Sequence, residues 1–547
     1  MSRKTVFNLI LLLLVIALFT GTGITINYYS HLPERLSQHE TILLGQNQLV
    51  PGSQSALRLL VRDSKNGAPL QDARVQVSLR SNSTGASVPL FSGTTNAQGT
   101  TDVVFKVPDD TQPDQTLVVE TQSKLGSDRM ERPVTVKRDY RVLLTTDKPI
   151  YQPGQLIHVR ALALSTFDLK PAAGQTLEIT IADGKGNKVF RKPLTTSSFG
   201  AAATDFQLAS EVNTGPYKIT AVLDTTSSEK TVTVEHYVLP KYAVKLQTDR
   251  KFYLPGQHVH ATLNANYFFG KPLAKGMVQI EGFTFDVQKQ VFATLQGSTD
   301  DQGAYEFDLD LPGFIAGTDL EGGQALVYLQ ASVTDQTQHV ETSNLSLPVA
   351  GSALKIEAVP EGGVIRQGVE NIVYVLTSYP DGTPAQTSLT LTLNDTGETM
   401  NTQTGQYGLA EIRITPKQGW LAFNLDARDP QGNHASRQFG FEGDDAEESV
   451  LLRPEKPIYQ VGETMNLTIL TSQPTGTVYL DIVRQGQTMS TRSIDVKQGQ
   501  AQLNVDLTPD LYGTLELHAY KILTSGAITR DTRLVVVDNA DQLLVNL

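Results

Sequence analysis

The sequence has 547 residues, no cysteine and a formal net charge of -12. At roughly 100–200 residues per domain this length holds about three to five domains, and 39% hydrophobic with 19% charged residues suits folded domains rather than disorder. The lack of cysteine excludes disulfides, thiolate zinc sites, iron–sulfur clusters, cysteine nucleophiles and any thioester within these residues, and the acidic balance argues against nucleic acid as a partner.

Residues 1–5 carry Arg3 and Lys4, and an uncharged run follows from Val6 to Ile26. As a helix, that run spans about 30 Å, enough for a bilayer core. Positive charge before it predicts a cytoplasmic N-terminus and export of the rest. A cleaved signal peptide is the alternative, with Val6–Phe19 as its apolar region and small residues at Gly21-Thr22-Gly23. The expectation is therefore a single-pass membrane protein, held through residues 6–26, with its bulk at the cell surface or in the periplasm. If the signal is cleaved, the product is secreted. An exported chain without disulfides must stand on large hydrophobic cores, which suits a bacterial envelope protein. Residues 27–40 read as a polar stalk.

The rest of the chain is dominated by an internal repeat of about 100 residues. Leu49-Val-Pro-Gly52, Tyr151-Gln-Pro-Gly154, Tyr253-Leu-Pro-Gly256, Ile365-Arg-Gln-Gly368 and Tyr459-Gln-Val-Gly462 each precede an alternating run. The fifth and seventh residues after each glycine are Leu57/Leu59, Val159/Ala161, Ala261/Leu263, Val373/Val375 and Leu467/Ile469, all apolar. The residues between them are mixed, as on the wet face of a half-buried strand. Pro69, Pro171, Pro272, Pro384 and Pro474 then mark turns leading to further alternating strands, such as 75–79, 177–181 and 389–393. Late glycines at 99, 200, 303, 408 and 499 mark another turn and strand. Short strands at this spacing between Gly/Pro turns predict an all-β chain of tandem antiparallel β-sandwiches, immunoglobulin-like or fibronectin-like in size. The boundaries fall at 41–138, 139–236, 237–349, 350–445 and 446–537. Glu442–Glu448 reads as a solvated acidic linker, and 538–547 as the start of a further unit.

Thr146-Asp-Lys-Pro-Ile-Tyr-Gln-Pro-Gly154, His236-Tyr-Val-Leu-Pro-Lys-Tyr242, Tyr267-Phe-Phe-Gly-Lys-Pro272, Ala358-Val-Pro-Glu-Gly-Gly363 and Arg453-Pro-Glu-Lys-Pro-Ile-Tyr459 carry a resemblance. Together they resemble the α2-macroglobulin family, in the form of its bacterial members, over about 41–547. The resemblance implies an array of macroglobulin domains and a protease trap. In that trap a protease cuts a bait segment, the molecule rearranges and a Cys-Gly-Glu-Gln thioester bonds to the attacker. It implies a non-catalytic scaffold with proteases as partners, lacking the thioester and, since the bait is placed in a later domain, lacking the bait too. The alternative is a stand-alone cell-surface spacer or adhesin with its sandwiches in line.

The sequence offers no G-x-S-x-G, H-E-x-x-H, P-loop or G-x-G-x-x-G, so no catalytic or cofactor-binding residue is assigned. His258 and His260 project from one strand face, as two metal ligands would. The same positions hold Leu156/His158 and Thr464/Asn466, so a variable polar face is expected, with no metal site. Tyr151, Tyr253 and Tyr459 are expected to pack over their own Pro-Gly turns. Trp420 is expected in a sandwich core. Asn82, Asn344, Asn394 and Asn466 fit N-x-[ST], a pattern silent in most bacterial proteins.

Overall fold

The computed structural model describes residues 17–18, 20–27, 38–236, 240–318, 323–443, 446–523 and 525–539. Its strands alternate side chains between a core and an outer face, and they group into sandwiches in the order of the repeat. The first has a three-stranded sheet (His39–Leu44, Gln54–Asp63, Thr100–Lys106) against a five-stranded one ordered Gln48–Leu49, Gly126–Val136, Asp114–Ser123, Arg74–Ser81, Ser87–Thr94. The second repeats this 3-plus-5 pattern between Tyr140 and Val234. The third and fourth pair three strands with four, and the fifth is one continuous eight-stranded sheet folded on itself. Each sandwich has its own hydrophobic cluster. All ten apolar positions read from the repeat are at most 2% exposed.

The repeat marks have physical causes. Gly99, Gly200, Gly303, Gly408 and Gly499 all adopt positive φ, between 69° and 76°. In the first four, an added Cβ would lie 2.1–2.5 Å from a backbone carbonyl oxygen, that of Val61, Ala163, Ala265 and Thr377 respectively. Only glycine allows this approach. The prolines at 69, 171, 272 and 384 close the same corner, each bridged to the end of that strand. A buried threonine four residues before the glycine (Thr95, Thr196, Thr299, Thr404) completes it. Its hydroxyl donates to the carbonyl of Leu70, Ala172, Leu273 or Ala385 and accepts a backbone N–H.

By contacts the chain forms two compact units, residues 1–235 with 447–547, and residues 236–446. In the first unit the fifth sandwich, though far along the chain, packs directly on the first and second. That corrects the picture of five sandwiches in single file.

The N-terminal expectation is also corrected. No helix among the described residues is long and apolar enough to cross a membrane. Of the 6–26 segment and residues 1–5, residues 1–16 and 19 lie outside the described residues. The single-pass localisation and the membrane as a partner are therefore not supported. Of the stalk at 27–40, residues 28–37 lie outside the described residues, but His39 and Glu40 are no stalk. They open the first strand, and the His39 ring is held by Thr121 and Ser123 at 2.7 and 2.8 Å. Of the segment 538–547, Asp538 ends the strand Ile528–Asp538 and residues 540–547 lie outside the described residues.

Candidate functional site

Strands of this repeat normally keep one wet face. Leu156–Ser165 does so, with His158 and Arg160 outward. Its counterpart Gln54–Asp63 is buried on both faces. Leu57, Leu59 and Val61 fill its own core. Ala56, Arg58 and Leu60 point the other way, against the fifth sandwich, and are 0, 0 and 7% exposed.

Arg58 is the centre of this contact. Its Nη2 donates to Asp481 Oδ1 at 3.1 Å and to the Arg492 carbonyl at 2.9 Å. Its Nη1 donates to Ser493 Oγ at 3.2 Å and Asp102 Oδ1 at 3.4 Å. The guanidinium also sits 4.9 Å over the Tyr479 ring. Asp481 Oδ2 accepts the Tyr520 hydroxyl at 2.9 Å. Burial pushes the Asp481 carboxyl above its ordinary range, and Arg58 and Tyr520 work against that rise. Burial next to Asp481 pushes the Tyr520 phenol upward.

Three further locks surround it. Gln487 accepts the Val50 N–H at 2.9 Å and donates to the Gln54 carbonyl at 2.6 Å and Ser53 Oγ at 2.7 Å. Arg484 stacks on Phe167 of the second sandwich, 4.0 Å from the ring centroid, and donates to the Phe167 carbonyl at 2.9 Å. Burial lowers its pKa, with Asp510 and Asp168 opposing. Arg138 reaches both oxygens of Asp168, at 2.6 and 2.7 Å, and the Pro51 carbonyl at 2.9 Å. Although burial alone would raise it, the hydrogen bonds from Arg138 and Ser165 hold the Asp168 carboxyl at about 2. Val50 and Phe167 belong to the same hydrophobic cluster as the fifth-sandwich core. These groups spend their hydrogen bonds on one another. What the arrangement does is fix three sandwiches in one register. Sequence reading missed all of them, because Arg58 and the exposed Arg160 occupy the same place in the repeat.

The residues singled out from sequence sit elsewhere. The Tyr151, Tyr253 and Tyr459 rings enter the cores, at 0, 0 and 1% exposed. Each lies in a short segment that pairs in parallel with the last strand of its sandwich. The Tyr151 and Tyr253 hydroxyls donate to Asp147 and Asp249, four residues earlier, at 2.5 Å. Those carboxylates also accept the backbone N–H of His158 and His260 at 3.1 Å. Burial and the carboxylate push both phenols up to about 12.

Trp420 is 46% exposed, which corrects its core assignment. Leu421, Phe423, Leu425 and Ala427 take the inward positions of Trp420–Arg428, so parity turns Trp420 outward, opposite Glu442. The acidic linker is pinned at its end, where Glu448 pairs with Lys521; Asp444 and Asp445 lie outside the described residues. Asn466 bonds Glu455 at 2.6 Å within its sheet. His258 and His260 do share an outer face. Among the described residues no group of three or more His, Asp or Glu side chains is arranged, as it stands, to hold a metal ion.

Three family models match the chain: the MG2 domain over 141–235, the macroglobulin domain MG3 over 236–315, and the α2-macroglobulin bait region domain over 450–547. The last corrects the expectation that the bait region is missing, because its match falls on the fifth sandwich. Among similar proteins, α2-macroglobulin of Thermotoga maritima is 23% identical over 60% of this chain and 21% of its own length. Thioester-containing protein 1 (allele S3) of Anopheles gambiae is 25% identical over 59% of this chain and 24% of its own. Ovostatin of Gallus gallus is 33% identical over 25% of this chain and 9% of its own. The chain thus spans less than a quarter of the length of each. Trypsin-activated α2-macroglobulin from Escherichia coli aligns over 93% of this chain and 38% of that one, at 15% identity and a TM-score of 0.46. With three of its domain types matched in order along an all-β repeat, this chain belongs to the α2-macroglobulin family and carries an array of macroglobulin domains.

Proposed function

We propose that this chain is the non-catalytic macroglobulin scaffold of an endopeptidase inhibitor of the α2-macroglobulin type, with proteases as its partners. The observation that carries this reading is the bait-region match on 450–547. Those residues include Asp481, Arg484 and Gln487, which lock the fifth sandwich to the first and second. A cut in the bait-region domain would be felt at that junction, and the scaffold would transmit it by releasing or shifting the packed sandwiches. No cysteine is present, so covalent capture is not assigned to these residues. The spacer or adhesin reading needs sandwiches in line, and the fold-back of the fifth onto the first weighs against it.

The test is to incubate the purified chain, in molar excess, with endopeptidases of trypsin-like and elastase-like specificity. First cuts are mapped by mass spectrometry and residual activity is read on a protein substrate. First cuts within 450–547, accompanied by loss of that activity, are expected. Cuts spread over all five sandwiches with undiminished protease activity would overturn the proposal.

A further inference from the structure

In each unit, two sandwiches that follow one another along the chain meet through the same pair of turns. One is the entry turn that opens the earlier sandwich, and the other is the proline-marked turn of the later one. Between the first and second, Arg138 joins the two, donating to the Pro51 carbonyl on one side and to Asp168 on the other. Between the third and fourth, rings take that place. Phe252 leads into the entry turn of the third sandwich, and Tyr379 lies in the turn closed by Pro384 of the fourth. Their ring centroids are 6.0 Å apart and their planes 18° from parallel. Next to Tyr379, the Pro380 carbonyl accepts the Gln324 side-chain amide at 2.8 Å.

The two joints differ in what holds them. The connection between the first and second sandwiches is Lys137-Arg138-Asp139, and it is pinned by charge. Arg138 pairs with Asp168, and Asp139 accepts the Gln48 amide at 2.8 Å. Arg484 of the fifth sandwich also clamps Phe167, and Val50 and Phe167 join the core of the fifth. The connection between the third and fourth is Gly351-Ser352-Ala353, three small uncharged residues, and the cores on either side of it are separate clusters. Phe252 and Tyr379 are half-buried. A cleft of about 400 Å³ opens beside their rings, lined also by Leu254, Gln257 and Thr383. A second, of about 610 Å³, is lined by Pro380 and by Gly351 and Ser352 of the connection itself. Clefts beside a thin contact leave room for one sandwich to turn, and a few residues at the end of an element absorb the backbone change.

We propose that the Phe252–Tyr379 stack is a latch across a hinge at Gly351–Ala353, and that its release lets the fourth sandwich swing on the third. The second unit then has two arrangements of its sandwiches without unfolding either core. The joint between the first and second, built from the same two turns, is fixed by its charged clamps. An aromatic pair shifts such a balance about two- to tenfold.

The experiment uses the full chain, whose lack of cysteine lets two introduced ones carry spin labels without competition. Gln296→Cys and Gln403→Cys place the labels at exposed strand positions of the third and fourth sandwiches. Double electron–electron resonance then gives the distribution of distances between them. One narrow distance is expected in the otherwise wild-type chain and in Tyr379→Phe, which keeps the ring. Phe252→Ala and Tyr379→Ala should each raise the share of a second distance about two- to tenfold. A label pair across the first and second sandwiches should stay narrow in both. Trp420 emission during urea unfolding reports whether the fourth sandwich is intact in each variant, and Phe252→Ala leaves every residue of that sandwich unchanged. A single, unchanged distance in the folded alanine variants would overturn the proposal. So would a broad distribution already present in the wild-type background, or equal broadening by Tyr379→Phe.

Discussion

Arg58→Ala is the most informative perturbation of the junction. The wild-type guanidinium is fully buried and donates to groups on both sandwiches. Its removal strips Asp481 of its cationic partner while that carboxyl stays enclosed with Tyr520, and the Arg492 carbonyl loses a donor. Removing one partner of a buried pair costs about 3–5 kcal/mol. Asp481 already titrates high, so it can escape part of that cost by taking up a proton. The lower end, about 3 kcal/mol, is the expected loss of coupling between the first and fifth sandwiches. Trp420, the single tryptophan, lies in the fourth sandwich and does not report on this junction. Hydrogen exchange with mass spectrometry does. Peptides from Gln54–Asp63 and Gln487–Lys497 should open about 100-fold more often. Asp481→Leu combined with Arg58→Met should recover most of the loss, because the pair is then replaced by apolar contact. Exchange in Arg58→Ala within about threefold of wild type would refute the claim that this residue carries the junction. The same would follow if Arg160→Ala, at the equivalent exposed position, produced an equal effect.

Three other outcomes follow from the same geometry. Leu467→Asp puts a charge at a position 2% exposed and should cost about 4–5 kcal/mol; exchange should rise in Thr464–Thr471 and also across the junction in Gln54–Asp63, so a first sandwich untouched by it would contradict the coupling. Asp168 titrates at about 2 against a reference of 3.8, so its contribution to stability is complete above the reference value and is lost as pH falls toward 2; Asp168→Asn should flatten that part of the acid unfolding curve, and an unchanged acid limb would count against the Arg138 pairing. Gly408→Ala forces a Cβ to 2.1 Å from the Thr377 carbonyl oxygen at φ +69°, whereas Gly397, at φ +70°, has open space around it; urea unfolding followed by Trp420 emission should lose about 2–4 kcal/mol for the first and about 1 kcal/mol for Gly397→Ala, and equal losses would show that the carbonyl contact costs nothing.

The two levels of the molecule differ in how far their sequence discloses them. Local geometry is written in residue types. Alternation at Leu57/Leu59 and its four counterparts marks the core face because a strand has period two. Gly99, Gly200, Gly303 and Gly408 mark the corner because no other residue tolerates that carbonyl. The threonine four places earlier is legible only by aligning the units as a repeated T-x-x-x-G, since within one unit a lone hydroxyl in a polar stretch carries no signal. The size of the Trp420 ring points to the core, whereas the parity of Leu421, Phe423 and Leu425 turns it outward. The junction is different in kind. Arg58 and Arg160 have the same offset from their glycines, the same type and the same alternating neighbours, yet one is fully buried and the other exposed. Nothing local separates them, since the difference lies in a sandwich about 400 residues away that covers one face and leaves the other wet.

The same reasoning explains where new properties arise in such a repeat. The inward positions are fixed by packing and are nearly interchangeable among the five sandwiches. The outward positions of the glycine-led strand are free, and each sandwich uses them differently. In the first they hold Arg58, which binds the fifth sandwich. In the third they hold His258 and His260, set against Asp308 and Asp310. The second keeps only the single pair His158 with Asp205. A sheet face whose backbone is already satisfied within the sheet can change its side chains at little cost to the fold. Docking and charge pairing therefore both find their place on the surface that the core does not constrain.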